Sequence, residues 1–371
     1  MREIQGRIKA LDRLRGVLVV LMALDHANYF VARTHSPGEY WGGVFPTYAT
    51  AAAFLARLVT HPAAPGFFFL MGTGMALFAG RRADQGWAAG GIRGRLLLRG
   101  MLLIALQLLV VNRAWELTPG GWGIRIYIGV LSALGAAMLA AAWLVQVKPP
   151  VLVIPASGLL IATDLLTPGV SRWADPFHPV LRLLLIPGGT RSFWVNYPLL
   201  PWLALALFGL AFGGWLVGNP VGARRGTLWI GLGALAVFVV LRLGNGFGNI
   251  RARSGGGWIG FLNVVKYPPS LTFVLLTIGF SLVILRLLFL IEEGTGGSWD
   301  PLLVYGSTPL FFYVLHLFLY AGIGRLFAPG GTSAGGMLLY WLLGLGVLYP
   351  ACIGFRTLKR RQSSRSPLRL F

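Results

Sequence analysis

Charged side chains are scarce in this 371-residue chain: they make up 12% of the sequence, whereas hydrophobic residues make up 56%. A soluble domain carries about 25% charged residues. The chain therefore has too few polar side chains to cover a surface that faces water, and its composition favours lipid as the solvent. Cysteine is scarcer still, because the single Cys352 excludes a disulfide framework and a cysteine-based metal site.

Acidic residues are also few. The sequence has 11 Asp and Glu against 32 Lys and Arg, which gives a net charge of +21. A nucleic-acid-binding protein gathers its basic residues on one folded face. Here they stand in short clusters between apolar runs, as they do in multi-pass membrane proteins. The charge pattern therefore argues against a nucleic-acid partner and for a lipid bilayer.

Motifs for metal and nucleotide chemistry are missing as well. No HxxxH or HExxH spacing occurs, and Asp25 is the only carboxylate directly beside a histidine in the sequence. No Walker loop, dinucleotide fingerprint or nucleophile elbow stands in a credible context. We therefore expect no bound metal. His35 and His178 lie close to proline in predicted outer loops, and we interpret both as ordinary loop residues.

Ten apolar runs approach the roughly 20 residues that a helix needs to cross a bilayer. The first is not a cleaved signal peptide, because it contains Asp25, His26 and Asn28. The fifth is the weakest, because it is short and contains Asp164. The sequence predicts an all-α integral membrane protein with about ten transmembrane helices in one bundle. The ten runs cover residues 15–32, 62–80, 95–112, 124–145, 150–166, 197–217, 226–243, 269–290, 302–326 and 336–355.

The basic residues also predict the orientation. With the N-terminus in the cytoplasm, the inner segments hold 20 of the 32 Lys and Arg, although the outer loops are longer. The last segment, RTLKRRQSSRSPLRLF, is strongly basic and is expected in the cytoplasm too. The sequence therefore predicts a single transmembrane domain over residues 1–355 and a basic cytoplasmic tail over 356–371.

The first apolar run carries a line of polar residues. Eleven residues separate Arg15 from His26, so a helix with 100° per residue places them on one face, about 16 Å apart. Asp12 lies close to the same stripe. Ionisable groups inside a span are costly and usually face a cavity. The alternative is an interfacial Asp–Arg anchor and a histidine that packs against a neighbouring helix.

His61 lies where Pro62 and Pro65 break the start of the second run. Irregular backbone at membrane depth is tolerated where it lines a cavity. The predicted topology puts His61 on the same outer side as His26. A histidine at the headgroup level is the simpler alternative. Gly72-Thr73-Gly74, further along this run, permits close contact with another helix.

His316 is the third histidine in an apolar run. Tyr313, His316 and Tyr320 are spaced at i, i+3 and i+7, which puts them on one face of an otherwise apolar helix. A belt of tyrosine at the membrane interface accounts for Tyr320 alone. It does not account for a histidine near the middle of the membrane, so His316 and Tyr313 join the candidate site.

The first apolar run, with its approach, reads RIKALDRLRGVLVVLMALDHANYF. Together with four later segments it resembles the catalytic domain of heparan-α-glucosaminide N-acetyltransferase and its bacterial relatives. The five segments come in the family's order and span nearly the whole chain. Each is weakly specific alone, since the motif LDxLRG occurs in several membrane acyltransferases. The four later segments are LVTHPAAPGFFFLMGTGMALF, NYPLLPWLALALFGLAFG, KYPPSLTFVLLTIGFSL and YGSTPLFFYVLHLFLY.

The resemblance implies a transmembrane acyltransferase of ten or eleven helices. Such proteins take an acetyl group from cytoplasmic acetyl-CoA and give it to an acceptor across the membrane, which in the lysosomal relative is the terminal glucosamine of heparan sulfate. The resemblance also implies a catalytic histidine on the non-cytoplasmic side. It leaves open whether His26 or His61 takes that role. The heparan substrate does not carry over to a bacterial inner membrane, where we place the chain.

Acyl transfer needs a base for the acceptor and donors for the developing oxyanion. We assign the role of base or acyl carrier to His26, which has Asp25 beside it in the sequence. His61 is the alternative or the partner of His26. His316 and Tyr313 would orient His26 or stabilise charge. The CoA phosphates would be held at the cytoplasmic side, where the stripe begins, by Arg15 with its neighbour Asp12 and by two further arginines. These are Arg95 and Arg99.

Two other functions fit the same architecture. A transporter or flippase also uses buried histidines and broken helices, but the internal repeat that often accompanies them is not apparent here. A catalytically idle scaffold is the third hypothesis. The acceptor is predicted to be an amine or hydroxyl of a glycan-type molecule at the outer face. The sequence leaves the oligomeric state open, with a homo-oligomer as one option.

Overall fold

The computed structural model of the chain describes residues 7–118, 121–253, 255–294, 300–362 and 366–370. These residues are mostly helical. In the first half the helices are α1 (Lys9–Ala27), α2 (Ala51–Leu58), α3 (Ala63–Asp84), α4 (Ala89–Leu106), α5 (Asn112–Glu116), α6 (Val130–Ala141) and α7 (Pro149–Leu166). In the second half they are α8 (Pro179–Leu184), α9 (Leu199–Gly218), α10 (Pro220–Gly244), α11 (Gly257–Leu262), α12 (Leu271–Gly294), α13 (Pro301–Ser307), α14 (Pro309–Leu326) and α15 (Ala334–Arg361).

Within the described ranges, nine helical segments are long and apolar enough to cross a membrane. The prediction of an all-helical membrane protein is confirmed at this level. The predicted span 124–145 is the exception in length, because it is helical only over α6, whose 12 residues are too few to cross the hydrocarbon core alone. The weakest predicted span, 150–166, is a full helix, α7. α15 continues to Arg361, six residues into the predicted tail.

Proline sets several helix starts, because its ring fixes φ and its missing N–H is not needed in a first turn. The expected break before the second run is present: α2 ends at Leu58, and α3 begins at Ala63 after a turn that contains His61 and Pro62. Pro309 opens α14 after α13 has ended, so the predicted span 302–326 consists of two helices.

The chain divides into two compact units. The larger unit contains Pro37–Gln107 and Ile124–Arg286. Its core is the pair α3 and α9, which pack along each other with α7 and α6 against α9. A methyl group on Gly72 would clash with the carbonyl oxygen of Ala206, and one on Gly209 with that of Phe69. The predicted close contact at Gly72 is thus confirmed, with α9 as its partner.

Short extended segments lie at one end of the larger unit. Strand β1 (Ile126–Ile128) pairs in parallel with β3 (Phe193–Val195), which pairs antiparallel with β2 (Gly188–Gly189). A separate bridge joins Tyr40 to Tyr267. The strands hold the loops after α5 and α8 to each other, and the bridge holds the loop before α2 to the segment before α12.

The smaller unit contains Ile8–Ser36, Leu108–Gly123 and Leu287–Phe371. Here α1 packs against α13, α14 and α15. A methyl group on Gly306 of α13 would clash with the backbone of α1 at Asp12. The helices α1 and α13 therefore touch through their main chains. α1 continues into a π-helical turn, Asn28–Ala32, and a second one, Gln107–Val111, joins α4 to α5. π-helical turns are rare in proteins, and those that occur often lie at functional sites.

Candidate functional site

Two histidines that lie 290 positions apart in the sequence meet in the smaller unit. Nδ1 of His26, in the last turn of α1, lies 2.7 Å from Nε2 of His316 on α14. The rings stack with their centroids 4.9 Å apart. His316 is fully buried, whereas His26 is partly exposed. The structure therefore brings together two of the three histidines that the sequence singled out.

The backbone of α14 fixes which nitrogen of each ring carries a proton. Nδ1 of His316 lies 2.9 Å from the carbonyl oxygen of Phe312, which can only accept, so this nitrogen is the donor. With both imidazoles neutral, Nε2 of His316 then accepts, and Nδ1 of His26 donates to it. The lone pair of His26 is consequently on Nε2. A histidine in this tautomer can act as a base or a nucleophile at Nε2.

Aromatic rings surround this pair. Trp115 of α5 meets the His26 ring edge-on, with the centroids 5.5 Å apart. Phe30, one turn beyond His26, packs against Trp115 at 5.1 Å. Tyr313, the other predicted site residue on α14, is buried with its ring 5.6 Å from that of His316. The predicted shared face of Tyr313 and His316 is therefore present.

Asp25 has a partner that the sequence did not predict. Its Oδ1 lies 3.3 Å from Nε2 of His35, while Nδ1 of His35 lies 2.7 Å from the carbonyl oxygen of Ser36. Both nitrogens of His35 thus face oxygen acceptors. His35 was interpreted as an ordinary loop residue, but it ties the loop after α1 to the carboxylate next to His26. His178 is exposed and caps α8 by accepting from the amide of Val180.

His61 belongs to the larger unit and lies in a buried ionic cluster. Its Nε2 is 3.8 Å from Oε1 of Glu39, whose carboxylate accepts two hydrogen bonds of 2.7 Å from Nε and Nη2 of Arg57. The hydroxyl of Tyr48 donates a further hydrogen bond of 3.2 Å to Oε1 of Glu39. Glu39, Arg57 and His61 are all buried. Sequence reasoning found His61 but missed Glu39 and Arg57.

The cluster is held in place by the segment before α12. The backbone oxygen of Glu39 accepts from the amides of Lys266 and Tyr267. Burial of Glu39 would raise the pKa of its carboxyl, but the positive charges of Arg57, His61 and Lys266 outweigh burial and hold that pKa well below its usual range. Glu39 is therefore ionised at neutral pH and is a fixed negative charge.

Tyrosine hydroxyls continue the polar network of the larger unit. Tyr40 donates a short hydrogen bond to Oδ1 of Asn196, and the hydroxyls of Tyr197 and Tyr267 lie 3.1 Å apart. Burial raises the pKa of Tyr40 and of Tyr267 above the usual value, so both remain neutral donors. Asn196, Lys266 and Tyr267 are buried.

The arginines predicted to hold phosphate lie in different settings. Arg15 donates to Asp12 over 2.6 Å, and Asp12 is buried, so this carboxylate orients Arg15. Arg95 and Arg99 are four residues apart on α4, hence on one face of that helix, and both are partly exposed. Two guanidinium groups on one face suit the phosphates of CoA. Among the described residues, no group of three or more side chains is arranged to bind a metal.

Comparisons with known proteins identify one family model and two relatives that the sequence matches. Residues 7–245 match the family model described as heparan-alpha-glucosaminide N-acetyltransferase, catalytic. The chain is similar to heparan-alpha-glucosaminide N-acetyltransferase of Mus musculus, with 28% identity over 134 residues, 36% of this chain and 18% of that protein. Its similarity to the Homo sapiens protein of the same name is 28% over 129 residues, 35% of this chain and 17% of that protein. The matched segments thus span under a fifth of these relatives.

Proposed function

The chain belongs to the family of the heparan-alpha-glucosaminide N-acetyltransferase catalytic domain, and on that premise we propose that it is a transmembrane acetyltransferase. In this proposal the donor is acetyl-CoA on the cytoplasmic side, and the acceptor is an amine of a sugar or glycan at the outer face. The observation that carries the proposal is the 2.7 Å contact between Nδ1 of His26 and Nε2 of His316. That contact supports a His26 whose Nε2 is ready to take a proton.

Amide formation requires that the acceptor amine lose a proton while its nitrogen attacks the acetyl carbonyl carbon. His26 Nε2 takes that proton, the new N–C bond forms, the C–S bond breaks, and the proton leaves with the thiol sulfur. A base positioned in this way contributes about 10²- to 10⁴-fold to the rate. A transient acetyl group on Nε2 is the second route by which the same nitrogen could serve.

His316 supports this role as a positioning residue. It accepts the Nδ1 proton of His26 and is itself held by the carbonyl oxygen of Phe312. As positive charge develops on His26, the aligned dipoles of this chain of hydrogen bonds stabilise it. Tyr313 packs edge-on against His316 and restricts its rotation. His61 remains the alternative base, because the carboxylate of Glu39 would stabilise its protonated form.

On the donor side, we assign the phosphates of CoA to Arg95 and Arg99, which share one face of α4. Arg15, oriented by Asp12, is the candidate on α1. Acetyl-CoA supplies the activated acetyl group, and the arginines supply charge that binds its phosphates. The concentration of Lys and Arg in the predicted inner segments supports cytoplasmic termini. The bacterial inner membrane is part of the same proposal.

The experiment that tests this function measures acetyl transfer from labelled acetyl-CoA to glucosamine in proteoliposomes. His26, His61 and His316 are changed singly to Ala, with His178→Ala as a control at an exposed loop position. We expect His26→Ala to lose about 100-fold or more of the rate, as for removal of a general base. Full activity in all three variants would exclude histidine-based transfer. Movement of the sugar across the membrane without acetyl-CoA would instead identify a carrier.

A further inference from the structure

Two more large aromatic side chains lie next to the ring that contacts His26. The Trp122 and Trp115 rings are 4.7 Å apart between centroids. Tyr29, on the π-helical turn after α1, lies 5.1 Å from Trp115 and 5.8 Å from Trp122. We call Tyr29, Trp115 and Trp122 the aromatic wall. Trp115 connects it to His26, because its ring centroid lies 5.5 Å from that of His26.

Trp122 lies in a loop segment whose backbone takes an unusual conformation on both sides of it. Trp122 stands between Gly121 and Gly123, which have φ of 73° and 68°. Among the described residues, nothing lies within 4 Å of a Cβ added at either glycine, apart from the neighbours in the chain. The loop therefore has room beside both glycines, and the indole of Trp122 packs against the rings of Trp115 and Tyr29. Binding residues often lie on loops, and ligand pockets are often lined by aromatic side chains.

The exposure of the wall differs from that of an ordinary aromatic core. Trp115 is buried under the other rings, whereas Trp122 and Tyr29 are only partly buried. The rings of Trp122 and Tyr29 therefore keep some exposed surface. Each contacts Trp115, which in turn contacts His26. The electron-rich face of an aromatic ring attracts polarised hydrogens. The axial C–H bonds of a pyranose form a flat patch of such hydrogens, which a flexible open-chain amine lacks.

We propose that the aromatic wall is the surface on which the ring of a pyranose acceptor stacks, so that its amine is presented to His26. This inference rests on the proposed acetyl transfer and adds the specificity of that site. It assigns to Trp122 and Tyr29 a role in acceptor binding that is separate from proton transfer. The wall therefore selects cyclic over open-chain acceptors, and its loss weakens acceptor binding without removing the base.

The test compares two amines of nearly equal composition: glucosamine, which is cyclic, and the open-chain amino alditol glucamine, whose amine is on C1 instead of C2. Both are offered to the full chain in proteoliposomes at saturating acetyl-CoA. Trp122→Leu removes the aromatic face, Trp122→Phe keeps one, and Trp229→Leu is the matched control at a tryptophan of α10 that is 73% exposed. We expect Trp122→Leu to raise the KM for glucosamine about tenfold, equal to ~1.4 kcal/mol, with kcat unchanged. The kcat/KM for glucamine should not change.

The expected pattern has Trp122→Phe close to the wild type for both amines and Trp229→Leu identical to it. An unchanged KM for glucosamine in Trp122→Leu, or equal losses of kcat/KM for both amines, would contradict the proposed role of the aromatic wall. Calorimetric titration with glucosamine in the absence of donor separates this result from failure of the enzyme. If the wild type transfers acetyl to neither amine, the proposed function fails. The wall is then judged by whether Trp122→Leu weakens glucosamine binding, and equal binding overturns it.

Discussion

His26 and His316 form a relay of fixed direction. Nδ1 of His26 lies 2.7 Å from Nε2 of His316, and Nδ1 of His316 lies 2.9 Å from the carbonyl oxygen of Phe312. A carbonyl can only accept, so Nδ1 of His316 is the donor. This assignment determines which nitrogen carries the proton in both rings. The backbone of α14 therefore determines, through the buried His316, that Nε2 is the nitrogen at which His26 reacts.

Replacement of His316 by Phe should therefore impair His26 without removing it. Phenylalanine fills the same buried space but cannot accept the Nδ1 proton of His26, so the tautomer and orientation of His26 are no longer fixed. We expect kcat for acetyl transfer to fall about 10- to 100-fold, less than the loss for His26→Ala, because the base remains. The measurement is the rate in proteoliposomes at saturating donor and acceptor.

His178→Phe is the matched control, since His178 is exposed and lies outside this unit. A structural role alone would lower protein stability and leave the pH dependence of the remaining activity unchanged. A positioning role instead shifts the pH at which kcat/KM is half-maximal. An unshifted pH profile together with full kcat in His316→Phe would contradict the relay.

Much of the fold follows from the sequence because membrane-spanning helices depend on local composition. The apolar runs place the long helices, although α1, α4 and α10 begin six residues before the predicted bounds, and the prolines place several helix starts. α6 is the instructive difference. The run 124–145 is mostly apolar, yet Ile126–Ile128 forms a strand with residues almost 70 positions later. Pairing over that separation cannot be inferred from local hydropathy.

The site was predictable in its residue types and not in its geometry. A histidine in an apolar run costs enough free energy to attract attention, so His26, His61 and His316 stood out. The partners Glu39 and Arg57 lie in stretches where charge is unremarkable, although acidic residues number only 11 in the whole chain. That scarcity was the signal for Glu39. The distance between His26 and His316 depends on the packing of α1 and α14, which no local pattern contains.

Glu39→Gln should destabilise the larger unit. Arg57 is buried and directs Nε and Nη2 to the Glu39 carboxylate, so the substitution leaves a buried guanidinium without its counter-charge. Breaking one partner of a buried ion pair costs about 3–5 kcal/mol. The measurement is thermal unfolding of the purified chain in detergent. Glu116→Gln is the control, because its ion pair with Arg113 is exposed and contributes about 0–1 kcal/mol. Equal melting temperatures for both variants would contradict the assignment.

The Glu39 contribution should persist into acid. Its pKa is held below the ordinary value of about 4.3, so the folded state binds this proton more weakly than the unfolded state. The stabilisation is therefore fully present above the ordinary pKa and is lost as pH falls towards the lower pKa of the folded state. We expect the difference in melting temperature between wild type and Glu39→Gln to be constant from pH 7 to about 5 and to shrink below about 4. A difference that grows in acid would contradict the sign.

Gly72→Ala should disrupt the contact between α3 and α9. The added methyl group would meet the carbonyl oxygen of Ala206, which belongs to the helix backbone and cannot rotate away. Gly209 makes the reciprocal contact with Phe69, so the helices cannot slide apart at one point without loss at the other. Overpacking of this kind costs about 1–3 kcal/mol, and thermal unfolding in detergent should show a lower midpoint.

The control for this contact is Gly233→Ala in α10, where nothing lies within 4 Å of the added methyl group. Alanine has the higher helix propensity, so this variant should melt at the wild-type temperature or above it. If both alanine variants melt alike, the two helices have room for a methyl group and the main-chain contact is wrong. If Gly72→Ala alone loses stability but keeps its acetyl-transfer rate at low temperature, the α3–α9 contact holds the larger unit together and takes no direct part in the reaction.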